Sequence, residues 1–262
     1  MAEIQTINIG SSANDGTGDT IRAGMDKVND NFQNFKIEGT NFTSSILIGH
    51  STTGTLDAAT GNTGVGIQAL DAITSGDYNT AVGFMAGSAN TTGANNTVLG
   101  GFAGFVLVEG SNNVAIGRSA LASENAHGRN IAIGRDALLV QDAGADAYNV
   151  AIGYQAGAAV TTGVRNTLLG SKAGDNLTSG GYNVAIGYDA LSTEDAHGRN
   201  IAIGYETLKY QNAGEDAYNV AIGYQSGVAV TTGVYNTLIG GKAGDLLTTG
   251  SSNVAIGYNA LS

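Results

Sequence analysis

The residues best equipped for chemistry come in duplicate. His127 closes the run Glu124-Asn125-Ala126-His127, and His197 closes Glu194-Asp195-Ala196-His197. A histidine with a nearby carboxylate is a metal-binding pair, above all where several chains converge. A surface loop copied along with its surroundings explains both runs more simply, so neither a metal nor a cofactor is assigned from them. Two acidic stretches, Asp142-Ala143-Gly144-Ala145-Asp146 and Asn212-Ala213-Gly214-Glu215-Asp216, lack the oxygen spacing of EF-hand or RTX calcium loops. They read as solvated bulges suited to variable contacts. Tyr154, Tyr188, Tyr205, Tyr224 and Tyr258 each follow a recurrent glycine, a place held by Arg118 and Arg135 in two other repeats. Their rings could stack on sugars or seal an interface between chains, and both readings stay open. No nucleophile–base–orienter set, metalloprotease motif or phosphate loop is present, so no catalytic residue and no enzymatic activity are expected.

These candidates all sit on a repeat. The unit Asn, β-branched, small or aliphatic, aliphatic, Gly begins at Asn62, Asn79, Asn96, Asn113, Asn130, Asn149, Asn166, Asn183, Asn200, Asn219, Asn236 and Asn253. The steps are 17 residues, with two of 19, and a degenerate copy at Ile46-Leu47-Ile48-Gly49 brings the count to 13. Residues 113–182 and 183–252 agree at 49 of 70 positions, which points to duplication of a four-unit block. Alternate strand residues face opposite ways, so Val184 and Ile186 share one face and Ala185 takes the other. The expected repeat core is the aliphatic residue before each glycine: Val82, Leu99, Ile116, Ile133, Ile152, Leu169, Ile186, Ile203, Ile222, Ile239 and Ile256. Apolar residues on both faces suggest a strand covered on each side, one by its own coil and one by a neighbouring chain. The glycine suits a turn of positive φ or a close backbone approach. The Asn suits a ladder between in-register parallel strands. Farther along, a position alternates between Leu (Leu121, Leu138, Leu191, Leu208) and Gly (Gly157, Gly174, Gly227, Gly244) with the four-unit period.

One such unit cannot fold alone. Two or three buried aliphatic side chains contribute about 1.5–3 kcal/mol each, against roughly 1–2 kcal/mol per ordered residue of backbone. Stacking must supply the rest. The expected fold is therefore all-β, a parallel β-solenoid over residues 41–262. At about 4.8 Å per strand it makes a rod of roughly 60 Å.

Composition narrows the partners. A net charge of -11 disfavours nucleic acid and anionic membrane surfaces, and no apolar run approaches the length of a membrane span. The 41 glycines come with no proline, cysteine or tryptophan, which excludes collagen and disulfide scaffolds. The first residues lack the basic and apolar regions of a secretory signal, so synthesis in a cytoplasm without export is expected. Thr-Thr pairs occur in only some repeats, which weakens an ice-binding reading.

Residues 1–40 depart from the repeat. Ile4–Ile9 reads as a short strand, and Ser11–Asp19 as a loop. A helix is predicted near Asp19–Phe35, with Ile21, Met25, Val28, Phe32 and Phe35 forming a heptad seam. Two heptads need a partner, and self-association about a three-fold axis is the expected one.

The repeated Asn-Val-Ala-Ile-Gly-x-x-Ala resembles the head repeat of trimeric autotransporter adhesins. More closely still it resembles arrays in phage tail fibres, with strings such as Asn149-Val150-Ala151-Ile152-Gly153-Tyr154-Gln155-Ala156-Gly157. This likeness covers about four fifths of the chain and implies a left-handed β-roll packed as a homotrimer. Ile7-Asn8-Ile9-Gly10, Asp15-Gly16-Thr17-Gly18-Asp19, Arg22, Gly24, Lys27-Val28-Asn29 and Asn31-Phe32 are similar to the N-termini of trimeric baseplate proteins in contractile-tailed phages of the T-even type. That likeness implies attachment to a virion baseplate, tail or neck through residues 1–40, with a role in host adsorption. A receptor-binding adhesin that holds host glycan is the alternative. The chain stops partway through a unit at Ser262, so a capping partner or a further C-terminal portion is expected to cover the open end.

Overall fold

The computed structural model describes residues 35–39, 42–48 and 58–262. Among them there is no helix; they form one 15-stranded sheet wound into a parallel solenoid. Strand β1 (Phe35–Gly39) pairs antiparallel with β2 (Phe42–Ile48), and β3 (Ala59–Thr60) pairs with the start of β2. Twelve three-residue strands follow: β4 (Thr63–Val65), β5 (Thr80–Val82), β6 (Thr97–Leu99), β7 (Val114–Ile116), β8 (Ile131–Ile133) and β9 (Val150–Ile152). The series continues with β10 (Thr167–Leu169), β11 (Val184–Ile186), β12 (Ile201–Ile203), β13 (Val220–Ile222), β14 (Thr237–Ile239) and β15 (Val254–Ile256). Each pairs in register with its sequence neighbours, and β2 joins as the degenerate copy, with Leu47 opposite Gly64. Among the described residues the sheet already includes Phe35–Gly39. The helix predicted over 19–35 lies outside the described residues except for Phe35, which instead opens β1.

The strand interior corrects the sequence reading. Only the middle residue of each strand from β4 onward faces the lumen and is buried, as with Ala81, Val98, Ala115, Ala151, Leu168 and Ala185. The residues expected as repeat core, Val82, Leu99, Ile116, Ile133, Ile152, Leu169, Ile186, Ile203, Ile222, Ile239 and Ile256, stand on the outer face of the sheet. Val82 is 40% exposed and Leu169 42%. The reason is volume. The lumen is already filled from the opposite side by the Leu/Gly position and by the residue three places after it, which is Val160 or Leu177 where that position is Gly. Mostly Ala is left on the strand side.

Packing along the axis explains the four-coil period. A Cβ built on Gly157 would lie 2.6 Å from Leu168 Cδ1 and 3.0 Å from Leu138 Cδ2, so the leucines of the flanking coils occupy the space a side chain would need. The backbone at this position is left-handed in every coil, with φ of 47° at Leu138 and 59° at Gly157. Glycine is the unstrained choice there, and leucine stands where the lumen must be filled. The glycine after each strand has a stricter role. A Cβ on Gly170 (φ 135°) would lie 2.5 Å from the Gly187 carbonyl oxygen of the next coil. Backbone packs directly on backbone along this row.

The buried Asn row ties the coils together. Asn166 Nδ2 donates to the Gly180 carbonyl (2.9 Å) and so closes its own coil, while its Oδ1 accepts the backbone N–H of Asn183 (2.9 Å) in the next. Direct carboxamide–carboxamide bonds of the expected ladder occur at Asn79–Asn62, Asn96–Asn79 and Asn253–Asn236.

Candidate functional site

Two surfaces carry the residues singled out by chemistry. The first is the outer face of the sheet. Its two inner columns are the first and third residues of β4–β15, all Thr, Val, Ile or Leu and without a single charge. A column of aromatic and polar residues flanks them on each side. On one side the post-glycine row has Tyr188, Tyr205 and Tyr224 stacked at centroid spacings of 5.5 Å, with rings 15° and 11° from parallel. Ser171 separates this stack from Tyr154, and Gly241 separates it from Tyr258, so the expected five-residue strip is a three-ring stack with two outliers. Tyr154 instead meets the Arg135 guanidinium at 5.7 Å.

The other flank was missed in the sequence. The residue just before each Asn also adopts positive φ and points outward, and here Arg and Tyr interleave from Arg129 to Tyr235. Arg165 lies 5.3 Å from the Tyr182 ring centre, and Arg199 lies between Tyr182 (5.0 Å) and Tyr218 (5.5 Å). Tyr218 stacks on Tyr235. Arg129 pairs with Asp146 (2.9 Å) and Arg199 with Asp216 (2.6 Å), which gives the acidic bulges a role in holding these guanidinium groups. The Arg199 bond holds the Asp216 carboxyl below its ordinary range. The 17-residue recurrence of Arg or Tyr before Asn was the available signal.

The second surface is the pair of Glu–His turns. Glu124 and Glu194 are fully buried in the lumen, three residues after the buried Leu121 and Leu191 of the same coils. Burial is the main cause that pushes each carboxyl up to about 7, helped by Asp142 at Glu124 and by Asp195 at Glu194. Glu124 accepts the His127 backbone N–H (3.2 Å) and the Asn130 carboxamide (3.3 Å). Glu194 accepts the His197 N–H (3.3 Å), yet its Oε2 and the facing Asn200 Nδ2 make no hydrogen bond.

Ile21, Met25, Val28 and Phe32 lie outside the described residues. Among the described residues no helix is long and apolar enough to cross a membrane. A scan against protein-family models and searches of curated proteins and of solved structures return no match to this chain.

Proposed function

We propose that this chain is a non-enzymatic structural fibre protein: a homotrimeric, left-handed β-roll rod attached to a phage virion through residues 1–40. The observation that carries the assembly is the uncharged outer face. With 12 three-residue strands at about 4.8 Å the uncharged strip spans on the order of 500 Å², and the flanking Tyr and Arg columns widen the face to about 1,000 Å². Soluble monomers rarely leave apolar patches above a few hundred Å² exposed, and a stable interface uses about 800 Å² per partner. The two inner columns carry no charge, so association along them brings no charge out of water, while the arginines stand in the flanking columns. Three-fold symmetry and virion attachment rest on the resemblances of the repeat and of residues 7–32. Sedimentation equilibrium of the full chain is expected to give three times the 26.3 kDa chain mass. A 26.3 kDa or dimeric species overturns the trimer. Antibodies to residues 58–262 are expected to decorate intact virions at the tail or fibres, and the absence of the protein from purified virions removes the phage reading.

The stacked Tyr188, Tyr205 and Tyr224 rings favour the second reading, a fibre that also holds host glycan. Glycan-array binding lost in Tyr205→Ala, with the oligomer intact, supports it. Dissociation of the oligomer in the same variant assigns the stack to the interface instead.

A further inference from the structure

We propose that the two Glu–His turns are divalent-cation sites of the zinc class, formed by Glu124, His127 and Asp142 in one block and by Glu194, His197 and Asp195 in the other. In each set the ligand atoms lie within 4.8 Å of one another. A cation bound at about 2.0–2.2 Å needs its ligands roughly 3.3 Å apart, so the side chains must close by up to about 1.5 Å. The exposed aspartates and the half-buried imidazoles can make that movement while the glutamates stay fixed.

The unsatisfied atoms point to a ligand. Nδ1 of His127 and Nδ1 of His197 are both shut off from water and have no hydrogen-bond partner. Glu194 is fully buried, and its Oε2 has none either. His197 Nδ1 stands 3.9 Å from Glu194 Oε1, too far for a hydrogen bond between them. Most of the neighbouring Asn row, equally buried, is bonded coil by coil, and at these turns the imidazole nitrogen is left over in both blocks, with a buried carboxylate oxygen beside it at Glu194. A cation accepted by Nδ1 and by the carboxylate oxygens would satisfy them.

A second observation comes from where the two blocks differ. Positions 125 and 195 are equivalent, as are 142 and 212, yet the first pair reads Asn and Asp while the second reads Asp and Asn. Each turn thus has one aspartate, reaching the histidine from a different coil in the two blocks. The exchange keeps three ligands and two carboxylate charges in each set, enough to neutralise a divalent ion beside a neutral imidazole. One nitrogen with two carboxylates suits zinc rather than calcium, which takes six to eight oxygens. A fourth position stays open to water.

The test is titration of the full chain, stripped with chelator, with Zn2+ by calorimetry, and with Co2+ for its ligand-field spectrum. Two ions per chain are expected. His127→Asn and His197→Asn should each remove one, and the double variant both. Asp142→Asn and Asp195→Asn, at exposed positions that leave the fold undisturbed, should each weaken one site by more than about tenfold. Uptake of fewer than two ions per chain, uptake retained by the double histidine variant, or aspartate variants that bind unchanged overturn the proposal.

Discussion

The two faces of the sheet are made from the same short strands and obey opposite rules. On the inner face the residues are small, identical in role from coil to coil, and locked by contact with the coils on either side. Gly170 meets backbone, Leu168 fills the space over Gly157 and Gly174, and Asn166 closes one turn while tying the next. On the outer face Thr, Val and Ile exchange freely from strand to strand, and the flanking columns tolerate Tyr, Arg, Ser and Gly. The inner face specifies the coil, and the outer face places no such demand on its residues. A substitution's cost should therefore depend on which side of the strand it falls more than on its size.

The strongest break of that contrast is a side chain on the glycine row. Gly170→Val drives carbon into the Gly187 backbone at a φ of 135°, so a loss of more than about 4 kcal/mol, or failure to fold, is expected by denaturant unfolding. Leu168→Ala empties space shared by three coils and should cost about 2–5 kcal/mol. If either variant unfolds like the parent, the backbone-on-backbone and shared-leucine description of the lumen is wrong.

A subtler change sharpens the contrast from within the lumen. In chelator-treated protein, Glu124 and Glu194 hold protons up to about pH 7, while an unfolded glutamate releases its proton near 4.5. The folded chain binds more protons across that window. The stability these groups contribute is thus fully present below about 4.5, falls as pH rises toward 7, and then levels off. Thermal unfolding across that range should show the slope, and Glu124→Gln with Glu194→Gln should flatten it. The smallest effect on chain stability is expected on the outer face. Ile203→Asp should change unfolding of the separated chain by no more than about 0.5 kcal/mol, while shifting the sedimentation mass toward the monomer. A large loss of folded coil in that variant would show the outer face to be part of the chain's own core.

Much of the architecture was legible in the residues. The 17-residue recurrence of Asn and Gly set coil length and register, and the in-register pairing of β4–β15, with β2 as the degenerate copy, follows it strand by strand. The two 19-residue coils place their extra residues in exposed bulges, as Gly144 and Gly214, with nothing near a built Cβ, make plain. The Arg/Tyr column was less legible, because its members lie in the turn before each strand, where spacing alone does not say that a positive φ points them outward. The orphaned atoms of the Glu–His turns were hidden for a different reason. Whether Nδ1 of His197 has a partner depends on the coils beside it, and spacing along the chain does not contain that.

By itself the sequence determined that the chain winds into stacked parallel coils, where each coil begins, and which residues must be Gly or Asn. Only the tertiary structure decided which side of each strand is inside. Alternation with a period of two is symmetric between the faces, and hydrophobicity favours burying Ile over Ala. The lumen reverses that preference because far-wall side chains already occupy it in most coils, so there the strand contributes little more than a methyl group. Val98, Leu168 and Leu238 fill it in coils whose far wall carries Gly, and the larger side chains at the other strand positions are turned outward.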